Sequence, residues 1–91
     1  MTDDGLNSLI GQEVVVDVKA AYVYLGTLVA IGPEALLLRD ADVHAQDDSQ
    51  STAELYVLEA LKEGIRANRT EVFVMQREVV SVSALAAVVP Y

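Results

Sequence analysis

Ten residues, Tyr22 to Ile31, constrain this chain more than any others. Residues alternate sides along an extended strand, so Tyr24, Gly26, Leu28 and Ala30 share one face and Val23, Leu25, Thr27, Val29 and Ile31 the other. Both faces are apolar, and a strand of this kind has to be covered on both sides. Gly26 sits in its middle, where glycine weakens a strand unless the chain bends sharply or another backbone comes close. A small, strongly bent barrel provides such a bend, and its interior covers one face. The other face needs the N-terminal helix or a neighbouring subunit.

Further strands flank this one. Residues 13–18 (EVVVDV) put Val14, Val16 and Val18 on one side and Glu13, Val15 and Asp17 on the other. Gly32-Pro33-Glu34 is a turn, and ALLLRDADVHA follows as a third strand. TEVFVMQ and EVVSVSAL, separated by a tight turn near Gln76, Arg77 and Glu78, predict two more. Two helices are expected. In residues 3–10, Leu6, Leu9 and Ile10 recur with helical spacing behind two aspartates that suit the N-terminal dipole. Between the third and fourth strands, Ser51-Thr52-Ala53-Glu54 fits a capping box. Leu55, Leu58, Leu61 or Lys62, and Ile65 form a stripe after it, and Gly64 is placed to end the helix. The spacing predicts a helix over about residues 53–63, within an insertion spanning about 50–67. The fold class is therefore mainly β: a short helix, then a five-stranded antiparallel SH3-like barrel interrupted by an extra helix. Ninety-one residues make one domain, 1–91.

This layout resembles the Sm/LSm family. The residues that carry the resemblance are the junction at Ile10-Gly11, the alternating valines after it, and Tyr24, Gly26 and Leu28 in the y-x-G-x-L pattern. The run Leu36-Leu37-Leu38-Arg39-Asp40-Ala41 and the two short strands in VFVMQREVVSV complete it. The resemblance implies a ring of about five to seven copies, in which the fourth strand of one subunit pairs with the fifth of the next. The residues agree: Val72, Val74, Val79, Val80 and Val82 would form two unpaired edges, an aggregation hazard that a closing head-to-tail interface removes. The alternative is a monomer whose short edges are protected by the inserted helix. RNA is the family's usual ligand, but its uridine-holding residues are missing. Ala35 stands at the Asn position, Met75-Gln76 stand in place of Arg-Gly, and the bacterial branch's Tyr-Lys-His is absent. Glu34, Gln76 and Arg77 are the remaining candidates for RNA or ligand contact.

Composition narrows the function. Fourteen carboxylates against six Lys and Arg give a net charge of −8, and no basic cluster exists to neutralise phosphates. RNA binding is therefore disfavoured, unless it runs through Gln76, Arg77 or the Arg66–Arg69 segment. An apolar content of 53%, with fifteen valines, exceeds what a barrel this small can hide, so part of it is expected between subunits. There is no Cys, which excludes disulfides and thiolate metal sites. Asp40, Asp42, His44, Asp47 and Asp48 lack the spacing of a calcium loop. Asp40, Asp42 and His44 are expected on the wet face of a strand, with His44 at the surface. No nucleophile elbow or phosphate loop appears. No enzyme, cofactor or metal is expected. The longest uncharged stretch, residues 20–33, is too short and too broken to span a bilayer, and the acidic start does not resemble a signal peptide, so the cytoplasm is the expected location.

Overall fold

The computed structural model describes residues 4–45 and 50–90, with side chains described from 5 to 45 and from 54 to 90. A short helix α1 (Asp4–Asn7) leads into strands β1 (Glu13–Val18), β2 (Tyr22–Ile31) and β3 (Ala35–Ala45). Helix α2 (Gln50–Glu63) follows, then β4 (Arg69–Met75), a 3-10 turn (Gln76–Glu78), β5 (Val79–Ala84) and a second 3-10 turn (Leu85–Ala87). The five strands form one antiparallel sheet in the order β4-β3-β2-β1-β5, so β4 and β5 are its two open edges.

The bends arise where register slips. Leu25 pairs with Asp42 but Thr27 with Arg39, leaving an extra residue on β3, where Asp40 takes a positive φ of 50°. Gly26 lies opposite this bulge. A Cβ there would stand 3.1 Å from the Ala41 Cα and Cβ, so the close backbone approach expected of this glycine is realised. A second slip falls between Leu28 and Ala30, where β2 carries the extra residue. It reverses the alternation expected along β2. Ile31 therefore joins Leu28 on the interior cluster, while Ala30 is exposed.

Two cores result, one on each side of the sheet. The barrel interior is Val14, Val16, Leu28, Leu36, Leu38, Ala41 and Val74. Outside it, Val15, Val23 and Leu25 are buried against Ala60 of α2 and Leu85 of the second 3-10 turn, with Tyr56, Val57, Leu61, Ile65 and Val88 around them. The outer cover of β2 is thus the inserted helix. The N-terminal helix, one of the two covers expected, does not supply it: Leu9, in the turn that follows α1, packs against the barrel interior instead.

Both helices differ from expectation in detail. Regular α1 ends at Asn7, after which tighter turns (Leu9 N to Leu6 O, 3.0 Å; Ile10 N to Asn7 O, 3.1 Å) carry the chain to Gly11 and leave Ile10 exposed. Gly11 N then donates to Leu28 O and Leu28 N to Gln12 O, pinning the entry to β1 against β2. Helix α2 starts at Gln50, so Ser51 lies inside its first turn and the capping box is displaced. The side chain of Ser51 and the acidic pair Asp47 and Asp48 fall outside the described residues. The buried stripe of α2 is Tyr56, Val57, Ala60 and Leu61, rotated from the expected one, and Leu55 is 61% exposed. Its C-terminus is as expected. Gly64 adopts a φ of 95°, its N–H reaches Ala60 O at 2.8 Å, and Ile65 packs on the outer core.

Candidate functional site

The turns at one end of the sheet converge. Gly32 N donates to Ala35 O at 2.9 Å and closes the β2–β3 turn. The 3-10 turn between β4 and β5 is tied to it twice: Gln76 N donates to Glu34 O at 2.8 Å, and the Gln76 side-chain amide donates to Gly32 O. Pro33, Glu34, Met75, Gln76 and Arg77 line an open cleft of about 290 Å³ between them. The structure therefore brings the three candidate contact residues together. It also gives Gln76 a structural task, because its amide nitrogen already joins the two turns. Glu34 and Arg77 are exposed, and among the described residues neither forms an ion pair with the other. The cleft presents a carboxylate and a guanidinium beside the apolar surfaces of Pro33 and Met75.

The second basic candidate, the Arg66–Arg69 segment, is not part of this cleft. Arg69 begins β4 and Met75 ends it, which separates them by about 20 Å of strand. Arg66 pairs with Glu63 at 3.8 Å on the exposed end of α2. Asn68, between the two arginines, is fastened to β3. It donates to an Asp42 carboxylate oxygen (2.9 Å) and to Val43 O (3.2 Å), and accepts from Val43 N (3.1 Å).

The expectation of a wet strand face at Asp40, Asp42 and His44 is corrected. Asp40 is exposed in the bulge, but His44 is half-buried and stacks on Tyr56 of α2, ring centroids 3.8 Å apart and planes at 15°. Its Nε2 is buried without a hydrogen-bond partner among the described residues. Burial first, and then the neighbouring Asp42 carboxylate, hold the Tyr56 phenol well above its ordinary pKa, so it is neutral at any physiological pH. Sequence reasoning missed this contact because nothing local marks a helix that returns over β3. Among the described residues no three His, Asp or Glu side chains converge to hold a metal ion.

The five valines expected at a subunit interface all lie on the open strands, but not all face outward. Val74 is 3% exposed and belongs to the barrel interior; Val72, Val79 and Val82 are half-buried against the same core. Val80 is different: β5 carries an extra residue opposite Asp17 and Val18, and Val80 stands 66% exposed. On β4 the most exposed apolar residue is Phe73, also 66%, which no motif in the sequence marks.

No family model matches the sequence, and no curated protein matches it by sequence. Solved structures do match. An Sm protein of Pyrococcus abyssii, solved in complex with a uridine heptamer, is 14% identical, with a TM-score of 0.62 over 89% of this chain and 93% of that one. A heptameric archaeal Sm protein is 21% identical, with a TM-score of 0.58 over 88% and 94%. An Sm-like protein of Pyrobaculum aerophilum is 25% identical, with a TM-score of 0.59 over 91% of this chain and 50% of that one. The chain has an Sm-like fold. Within that fold, this Sm-like chain carries α2 between β3 and β4 and the cleft at Glu34, Gln76 and Arg77.

Proposed function

We propose that this Sm-like chain is a non-enzymatic binding or scaffolding module, working in the cytoplasm as a ring of about five to seven identical subunits. The observation that carries this reading is the strand order, which leaves β4 and β5 open at opposite ends of one sheet. Edges placed so are complementary between copies, and a head-to-tail contact that closes removes every free edge at once. The heptameric neighbour with the same fold supports it. Native mass spectrometry tests it: the expected mass is that of about five to seven chains, unchanged by nuclease. A mass of one chain at micromolar concentration would replace the ring with a monomeric partner-binding domain.

A second reading is favoured by the convergence of Glu34, Gln76 and Arg77 in one cleft. Here the ring also takes RNA, at the cleft and by chemistry other than the family's uridine pocket. Arg77 supplies a phosphate contact and Glu34 a hydrogen-bond acceptor. The net charge of −8 opposes it. Fluorescence anisotropy with U-rich and A-rich RNA at low salt decides: sub-micromolar, salt-sensitive binding that is lost in Arg77→Ala establishes this reading, and its absence leaves the scaffold.

A further inference from the structure

Helix α2 closes the outer core, but its two flanks end differently. Toward β3 it is fastened, with Tyr56 stacked on His44. Toward β5 it stands apart from the segment that follows β5, and a groove of about 310 Å³ opens between them. Val15 and Val23 form its floor, Leu58 of α2 one wall and Val89 the other. Val89 is 65% exposed and Leu58 half-buried, so this apolar lining is only partly covered. The volume lies at the lower end of the roughly 300–1,000 Å³ of small-ligand clefts, which suits an anchoring side chain and not a whole helix.

The rim of the groove has one sign. Glu54 is exposed on the α2 side. Asp17 lies on the sheet side, where its Oδ2 accepts from Ser81 Oγ at 3.0 Å. Among the described residues neither carboxylate is in an ion pair, and no Lys or Arg lines the groove. The same sign continues past the helix, where Asp42, Glu59 and Glu63 border the cleft on its other flank against Arg66. Charge therefore selects the occupant. A second copy brings a net charge of −8 of its own, and nucleic acid brings phosphates, so both meet a repelling field. A cation beside a large apolar side chain satisfies rim and lining together.

We propose that this groove docks a short segment of a partner protein in which a large apolar side chain stands next to Lys or Arg. The apolar side chain fills the space between Leu58 and Val89, and the cation meets Glu54 and Asp17. This gives the scaffold reading a class of partner, but the groove lies within one subunit, so a monomeric mass would remove the ring and leave the groove to its own test.

That test is a methyl NMR titration of the full chain with three capped peptides: Ser-Lys-Phe-Lys-Ser, Ser-Glu-Phe-Glu-Ser and Ser-Lys-Ala-Lys-Ser. The first is expected to shift the Leu58 and Val89 methyls, with half-saturation near ~1 mM, the scale of one anchoring side chain. The acidic peptide and the alanine peptide are expected to leave those methyls unmoved at the same concentration. Glu54→Gln combined with Asp17→Asn should weaken the first peptide by about threefold or more, the scale of two exposed ion pairs. Asparagine keeps an acceptor for Ser81, so the unfolding temperature of this variant should hold. Unmoved Leu58 and Val89 methyls overturn the proposal. So does an equal response to either control peptide, or unchanged affinity in the variant. The largest shift at Leu37, in the apolar cleft beside Phe73, also overturns it.

Discussion

The outward face of the sheet has two halves with opposite fates. Over β1 and the first half of β2, Val15, Val23 and Leu25 are buried by α2 and the C-terminal turn. Over the far half, Ala30, Pro33, Ala35, Leu37 and Phe73 line an open apolar cleft that no element among the described residues covers. In sequence the two halves look alike, since each is a run of aliphatic residues at strand spacing. The difference is reach. A fourteen-residue helix spans only about 20 Å, and the contacts from Tyr56 to Ile65 hold it over the β1–β2 side. An apolar pattern thus shows that a face is to be covered. What covers it depends on the length of the elements available.

This contrast yields a graded set of expectations. Leu25→Ala should have the largest effect on folding, about 2–5 kcal/mol in urea denaturation, because Leu25 has no exposed surface under α2. A loss below about 1 kcal/mol would mean that the helix does not hold that half closed. Gly26→Ala should come next, at about 1–3 kcal/mol. The added methyl meets the Ala41 backbone at 3.1 Å between the two halves, and backbone cannot give way as a side chain can. An unchanged unfolding midpoint would show that the bulge relaxes freely. Phe73→Ala should change monomer stability least, by about 0.5 kcal/mol or less, as for other exposed positions. The same variant should raise the subunit concentration needed for assembly at least tenfold by analytical ultracentrifugation. Intact assembly with lowered stability would place Phe73 in the subunit's own fold and erase the contrast between the halves.

Much of the barrel was legible because its periods are local. The ALLLRDADVHA strand has the bounds expected of it, and the two last strands lie within a residue or two of theirs. Gly64 ends α2 where its position predicted, since only a residue free of Cβ strain takes φ of 95° readily. The candidate site was legible in part. Glu34 and Arg77 were recognisable as the polar residues of two turns, but that Gln76 spends its amide on Gly32 depends on a contact across 44 residues. The stacking of His44 on Tyr56 was hidden in the same way.

By itself, then, the sequence determined that this chain forms a bent five-stranded sheet with more apolar surface than one interior can hold, because alternation and turn chemistry act over a few residues. Only the tertiary structure decided which surface each excess residue reaches. One bulge reverses the side on which Ile31 lies. The docking of α2 selects which half of the second strand's outer face is closed, and leaves Phe73 and Val80 bare on the two open edges. These outcomes rest on distances between residues far apart in the chain, which no local pattern encodes.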